Sequence, residues 1–136
     1  MEDVLVDSSV ILDVFLDDSR WGDWAEATLS RLSSAKALYI NPIIYAEVSI
    51  GFERIEELED ALLDCGFRMR EIPREALFLA GKAFLTYRHR KGKKLFPLPD
   101  FFIGAHAAIE SLELLTRDVQ RIRTYFPTVN ILSPCP

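Results

Sequence analysis

The sequence predicts an α/β fold, a sandwich of helices around a mainly parallel central sheet, from three observations. Short apolar runs recur along the chain, segments with helical periodicity separate them, and 49% of the 136 residues are hydrophobic. Strands that alternate with helices pair in parallel, because each helix carries the chain back across the sheet. A folded chain of this length buries roughly 68% of its unfolded surface, so an apolar core suffices without metal or disulfide staples. No internal repeat, low-complexity tract or linker interrupts the chain, and one domain is expected over residues 1–136.

Val4-Leu5-Val6 reads as the first strand; it stops at Asp7, and Ser8 and Ser9 precede a helix with Val10, Ile11, Val14 and Phe15 at helical spacing. A second helix is expected from about Gly22 to Ser34, with Trp24, Thr28 and Leu32, or Ala27 and Leu32, facing inward. Residues 37–40 form the next strand, and Asn41-Pro42 starts a helix through Ile50, since Asn caps free N–H groups and Pro at the first position loses no helical bond. An amphipathic helix follows from about Arg54, with Ile55, Leu58, Leu62 and Cys65 on one face and Gly66 as its stop. Residues 67–72 suit a short edge strand. Pro73 opens a long helix on which Ala76, Leu77, Ala80, Ala83, Phe84 and Tyr87 keep the 3.6 period, and a loop spans 91–99. Asp100 opens a small-residue helix through Ile109, followed by a Leu114-Leu115 strand, a short helix with Val119, Ile122 and Phe126, and a last strand at 129–132.

Several classes are excluded. Cys65 and Cys135 lie outside any metal-ligand or C-x-x-C spacing, which fits reduced thiols in a cytoplasmic protein. The N-terminal residues lack a signal peptide's basic and apolar regions, and no stretch approaches the ~18 apolar residues that span a bilayer. The net charge of −5 speaks against coating nucleic acid through bulk charge, but the charge is uneven. Arg88, Arg90, Lys91, Lys93 and Lys94 fall within seven residues; the remaining 11 basic against 21 acidic residues leave −10 elsewhere.

Four acids interrupt or border sequence that should be buried: Asp7 after a strand, Glu47 in an apolar helix, Asp100 at a helix start and Asp118 after the Leu114-Leu115 strand. In parallel α/β folds the working site lies at the carboxyl ends of the strands, where Asp7 and Asp118 would sit. Gathering such acids costs desolvation and repulsion unless they share protons or hold a cation. A hard ion such as Mg²⁺ suits an all-oxygen set and can polarise a phosphodiester, activate water and steady a leaving oxygen. Taken singly, Asp7, Asp100 and Asp118 could be helix N-caps and Glu47 an outward-facing surface residue. Glu53, Glu56, Glu57, Glu59 and Asp60 read as a solvated helix face, Asp17-Asp18 as a turn, and His106 between Ala105 and Ala107 as a packed core residue. His89 stands alone, and neither a Gly-rich phosphate loop nor a G-x-S-x-G elbow is present.

Val4-Leu5-Val6-Asp7-Ser8-Ser9-Val10, Tyr45-Ala46-Glu47-Val48 with Gly51, Leu98 through Ala107 and Leu114-Leu115-Thr116-Arg117-Asp118 resemble, in this order, the motifs of PIN-domain ribonucleases, and among them VapC-type toxins of type II toxin–antitoxin pairs. The resemblance implies an α/β/α sandwich around a parallel sheet. It also implies that Asp7, Glu47, Asp100 and Asp118 bind Mg²⁺ or Mn²⁺ and hydrolyse RNA, leaving a 5′-phosphate and a 3′-hydroxyl. Ser9 matches the position that supports the first aspartate and Thr116 the hydroxyl before the last acid, while Ser8 stands where Thr is common. A homodimer and a VapB-type antitoxin are the partners implied, and an antitoxin arginine would pair with such carboxylates.

The basic segment has two readings. It can hold RNA phosphates that the acidic site alone would repel; equally, cations are favourable at a helix C-terminus and need do nothing more. Other functions compatible with the sequence are a non-toxin PIN nuclease of RNA processing and a non-catalytic binding module. A phosphatase of the haloacid-dehalogenase type would need a second acid two positions after the first, where this chain has Ser9.

Overall fold

A computed structural model describes residues 3–90, 92, 93 and 98–134. Its centre is β1 (Val4–Val6), all three residues buried. Three consecutive apolar side chains suit a strand covered on both faces, which is the condition of a parallel sheet. β1 pairs in parallel with β2 (Leu38–Ile40) on one side and with β4 (Glu113–Leu115) on the other; β3 (Arg68–Met69) and β5 (Ile131–Leu132) complete the sheet in the order β3-β2-β1-β4-β5. The expected parallel sheet is therefore present, the edge strand expected over 67–72 shrinks to two residues, and the last strand begins at 131 rather than 129.

Among the described residues seven helices sandwich the sheet: α1 (Ser8–Phe15), α2 (Gly22–Ser33), α3 (Pro42–Val48), α4 (Ile55–Asp64), α5 (Arg74–His89), α6 (Pro99–Glu110) and α7 (Gln120–Tyr125). A 3-10 turn, Ser49–Gly51, extends α3. Asn41 caps α3 as its sequence requires, its Oδ1 accepting from the Ile44 N–H at 2.9 Å. Gly66 ends α4 with φ of 78°, a left-handed conformation that glycine adopts without penalty, while the Phe67 N–H donates back to Leu62. The Asp17-Asp18 turn also forms: Asp18 Oδ1 accepts from the Arg20 and Trp21 N–H groups, and these two bonds hold its carboxyl below the usual range.

Some inward stripes differ from expectation. On α2 the buried positions are Gly22, Ala25, Thr28 and Leu32, and Ala27 faces out. On α4 Leu58 and Leu62 are buried whereas Ile55 is exposed, because the helix is a single surface layer whose first turn overhangs the core. On α5 Ala76, Ala80 and Ala83 are buried and Leu77 is exposed. Small residues on α5 allow it to lie close on α6, with Phe84 and Tyr87 packed against Phe101. Gly104 likewise lets α6 meet α7: a Cβ there would lie 2.4 Å from the buried Phe126 ring.

The strand order places the chain reversal between β1 and β4, since one half of the sheet grows from β1 toward β3 and the other continues from β4 to β5. The carboxyl ends of such adjacent strands diverge into a crevice that is the usual place for a ligand site in open parallel sheets. Asp7 follows β1 and Thr116 to Asp118 follow β4, so the topology sets these residues on the two lips of that crevice.

Candidate active site

Asp7 lies at the end of the central strand, where its N–H makes a last ladder bond to Leu115 O at 2.9 Å. The residue is 8% exposed. It occupies the N-cap position of α1, yet its side chain makes no capping bond. Instead its Oδ2 accepts from two hydroxyls, Thr116 Oγ1 at 2.7 Å and Ser9 Oγ at 3.0 Å, while Ser8 Oγ lies 3.4 Å from Oδ1. Thr116 is itself fixed, 1% exposed, with its Oγ1 accepting from the Asp118 N–H at 3.1 Å. Hydroxyl donors fix a carboxylate's orientation without bringing a countercharge.

The other acids converge on the same crevice. Glu47, one residue before the end of α3, is half-buried, and its Oε1 accepts from Ser8 Oγ at 2.8 Å. Burial pushes its carboxyl above the usual range, the Ser8 bond opposes that rise, and the charges of Asp7 and Asp100 add to it. Asp100 stands second in α6, after Pro99, so it is not the N-cap; that position is Leu98. Burial raises its carboxyl too, reinforced by Asp7 and Asp118 and opposed by Arg121, whose Nη1 lies 3.4 Å from Asp100 Oδ2. Asp118 is exposed and precedes Val119, the N-cap of α7. The capping alternative thus fails geometrically for all three aspartates, and Glu47 faces the crevice rather than open solvent.

Among the described residues no three acid, histidine or cysteine side chains stand close enough to enclose an ion by themselves. The donor set is nevertheless all oxygen, on rigid strand and helix ends, and the acids repel one another. An ion held by one or two carboxylates and completed by water, the habit of Mg²⁺, fits that chemistry.

The basic segment is only partly within the described residues. Arg88 and Arg90 close α5 exposed to solvent, Lys93 is exposed beyond it, and Lys91 and Lys94 lie outside the described residues, as does Cys135. Arg90 places its guanidinium 5.6 Å from the Tyr125 ring.

Three contributors escaped sequence reasoning. Ser8, noted there only as a helix-start residue and a departure from Thr, stands between Asp7 and Glu47; its position next to Asp7 at a helix start was the available signal. Arg121 has a signal too, an arginine three residues after Asp118 in the first turn of the next helix. Arg117 forms a two-bond pair with the buried Asp13, at 2.6 and 3.1 Å, tying the loop after β4 to α1; nothing local in sequence links residues so far apart. His106 is buried as expected. Asn41 Nδ2 donates to its Nδ1 at 3.1 Å and its Nε2 lies 2.6 Å from Glu110 Oε1, so the ring bridges α3 to the end of α6, away from the acids.

Fold and site together define a parallel α/β sandwich with an acid-lined crevice at its strand reversal. The sequence profile of the PIN domain matches residues 4–127, and the chain belongs to the PIN-domain family. No curated protein sequence matches it. Solved structures do: a chain of VapBC2 from Rickettsia felis bound to a DNA fragment from its promoter has TM-score 0.71 and 15% identity over 96% of this chain and 97% of that one. VapBC-1 from nontypeable Haemophilus influenzae has TM-score 0.68 and 21% identity over 96% of each chain. A toxin–antitoxin complex from Klebsiella pneumoniae has TM-score 0.65 and 22% identity over 97% and 98%. At such identities the likeness is one of fold.

Proposed function

We propose that this protein is a metal-dependent endoribonuclease and the toxin of a VapBC-type pair, cutting structured RNA such as transfer or ribosomal RNA and so inhibiting translation. The observation that carries the reading is the hydroxyl-held Asp7, facing Glu47, Asp100 and Asp118 across the strand reversal with Arg121 as the only described cation hydrogen-bonded to one of the four. Family membership and the VapBC neighbours support it.

Asp7, Glu47, Asp100 and Asp118 would hold Mg²⁺, or Mn²⁺ in its place. Once bound, the ion would supply charge to the phosphodiester oxygens and acidity to water. The protein's own groups do the rest. Ser9 and Thr116 aim the Asp7 carboxylate, Ser8 sets the distance of Glu47 from it, and the crevice walls limit the approach to the phosphate. Burial and the neighbouring acids raise the carboxyls of Glu47 and Asp100, and a bound cation would favour their charged forms.

Water is the nucleophile in this reading, and the products are a 5′-phosphate and a 3′-hydroxyl. Arg88, Arg90, Lys91, Lys93 and Lys94 hold substrate phosphates. The protein is taken to be a cytoplasmic homodimer controlled by a VapB-type antitoxin that presents an arginine to the acids; among the described residues no helix is long and apolar enough to cross a membrane. The test is RNA cleavage by freshly purified, antitoxin-free protein with Mg²⁺, Mn²⁺ or EDTA, beside Asp7→Asn and Asp100→Asn. Metal-dependent cleavage lost in both variants is expected; full cleavage in either variant, or none by the wild type with either metal, overturns the assignment.

A further inference from the structure

Next to the acids, between the end of α5 and α7, lies an open cleft of about 290 Å³ that the proposed chemistry leaves unused. Asp118 and Arg121 line it, so the cleft adjoins the acidic crevice, and Tyr87 and Tyr125 line it as well. The two tyrosines are half-buried and belong to a ring cluster with Phe84 and Phe101, at centroid separations of 5.5 to 6.4 Å. Neighbouring rings hold them in place. Two guanidinium groups lie on this cluster: Arg121 at 5.6 Å from Tyr87 and 5.5 Å from Phe101, and Arg90 at 5.6 Å from Tyr125.

A rigid aromatic wall, cations against it and an opening onto the acids is the chemistry of a nucleotide site: a flat ring offers a face or edge to a base, and guanidinium pairs with phosphate. Arg121 is poised for this. One of its five N–H donors reaches Asp100, at 3.4 Å, the long limit of a hydrogen bond, so the contact leaves donors for a second anion. A duplexed base keeps its faces stacked on its neighbours, so the occupant must be unpaired.

We propose that this cleft is a subsite for an unpaired nucleotide flanking the cleaved phosphodiester, with its base against Tyr125 and its phosphate on Arg121. The inference rests on the nuclease reading for what happens next door, but its test does not. Fluorescence anisotropy in EDTA measures binding of a short, labelled, unstructured RNA across a KCl series, so no cleavage enters. The wild type should bind this RNA about tenfold more tightly than a fully abasic strand of the same length. Tyr125→Ala should weaken binding of the RNA about tenfold and leave the abasic strand unaffected, and Tyr125→Phe should bind as wild type. Arg121→Ala should lower the slope of log affinity against log salt by about 0.7, one single-strand phosphate contact, whereas Arg121→Lys keeps the slope. Equal wild-type affinity for the RNA and the abasic strand overturns the base contact whatever the variants do. An unchanged salt slope in Arg121→Ala overturns the phosphate contact and leaves Arg121 as a neutraliser of Asp100. Failure of the wild type to cleave with Mg²⁺ or Mn²⁺ would sink the nuclease reading alone.

Discussion

Two polar clusters among the described residues lie one at each end of α6, and they are built on opposite principles. Near the carboxyl end of α6, Arg70 sits between two acids beside His106: it reaches Glu110 at 3.0 Å and Asp3 at 3.2 Å and lies over the Tyr39 ring at 4.6 Å, and Glu110 also meets His106. Near its amino end, four acids gather around hydroxyls and a single long arginine contact. Burial lowers His106 and raises Glu47 and Asp100, so each environment disfavours charge, but only the first cluster supplies its own countercharge. A cluster that balances itself is structure. One that leaves its charges facing each other stores repulsion that a ligand can relieve, and this asymmetry within one helix's neighbours is what separates framework from site.

The sharpest way to break the comparison is Asp7→Asn. It keeps the shape and the hydroxyl neighbours while removing one charge, and RNA cleavage should fall by roughly 10²-fold or more with the melting temperature held or raised. A matching loss of stability would make Asp7 a structural residue. Thr116→Val and Ser8→Ala probe the groups that aim the carboxylates; each should cost about 10- to 100-fold in cleavage or in Mg²⁺ affinity measured by titration.

On the framework side, His106→Asn should cost about 1–3 kcal/mol in urea unfolding, because it leaves buried partners unsatisfied, with little change in cleavage per folded molecule. Gly104→Ala should cost a similar ~1–3 kcal/mol, since α6 and α7 must part to admit the methyl. Glu47→Gln should do the reverse, abolishing cleavage while stabilising the metal-free protein at neutral pH, because a half-buried charge facing Asp7 and Asp100 disappears.

The smallest expected effect is in pH. His106 is held below its ordinary 6.5 by burial, against the opposing pull of Glu110 and with Arg70 adding to the fall. The unfolded chain therefore takes up this proton first on acidification: the contribution is complete above 6.5 and is lost as pH falls through the folded value. Urea unfolding of wild type should show stability declining just below pH 6.5, and His106→Asn should flatten that slope. An identical slope in both proteins would remove His106 as its source.

Much of this was legible in the chain. β1, the Asn41-Pro42 start, the Gly66 stop and the Asp17-Asp18 turn follow from local chemistry, and local chemistry operates between residues that are neighbours in sequence. The four acids were legible because each breaks an apolar pattern. Stripe positions at the ends of surface helices were not: Ile55 and Leu77 have the right period, but how far a helix overhangs the core depends on the neighbour beneath it. Arg117–Asp13 was invisible, since hydrogen bonds between distant segments leave no periodic trace, whereas Ser8 and Arg121 offered only their positions beside Asp7 and Asp118.

By itself, then, the sequence determined the alternation of strand and helix, the hydrophobic runs that demand a two-sided sheet, and the identity of the acids. Only the tertiary structure decided which acids meet. The strand order β3-β2-β1-β4-β5 brings Asp7 beside Thr116, 109 positions later in the chain, and turns two separate strand ends into one crevice. Periodicity encodes burial one element at a time, whereas strand order follows from the joint packing of all the helices on both faces, and with it come the Arg121 contact and the cleft beside it.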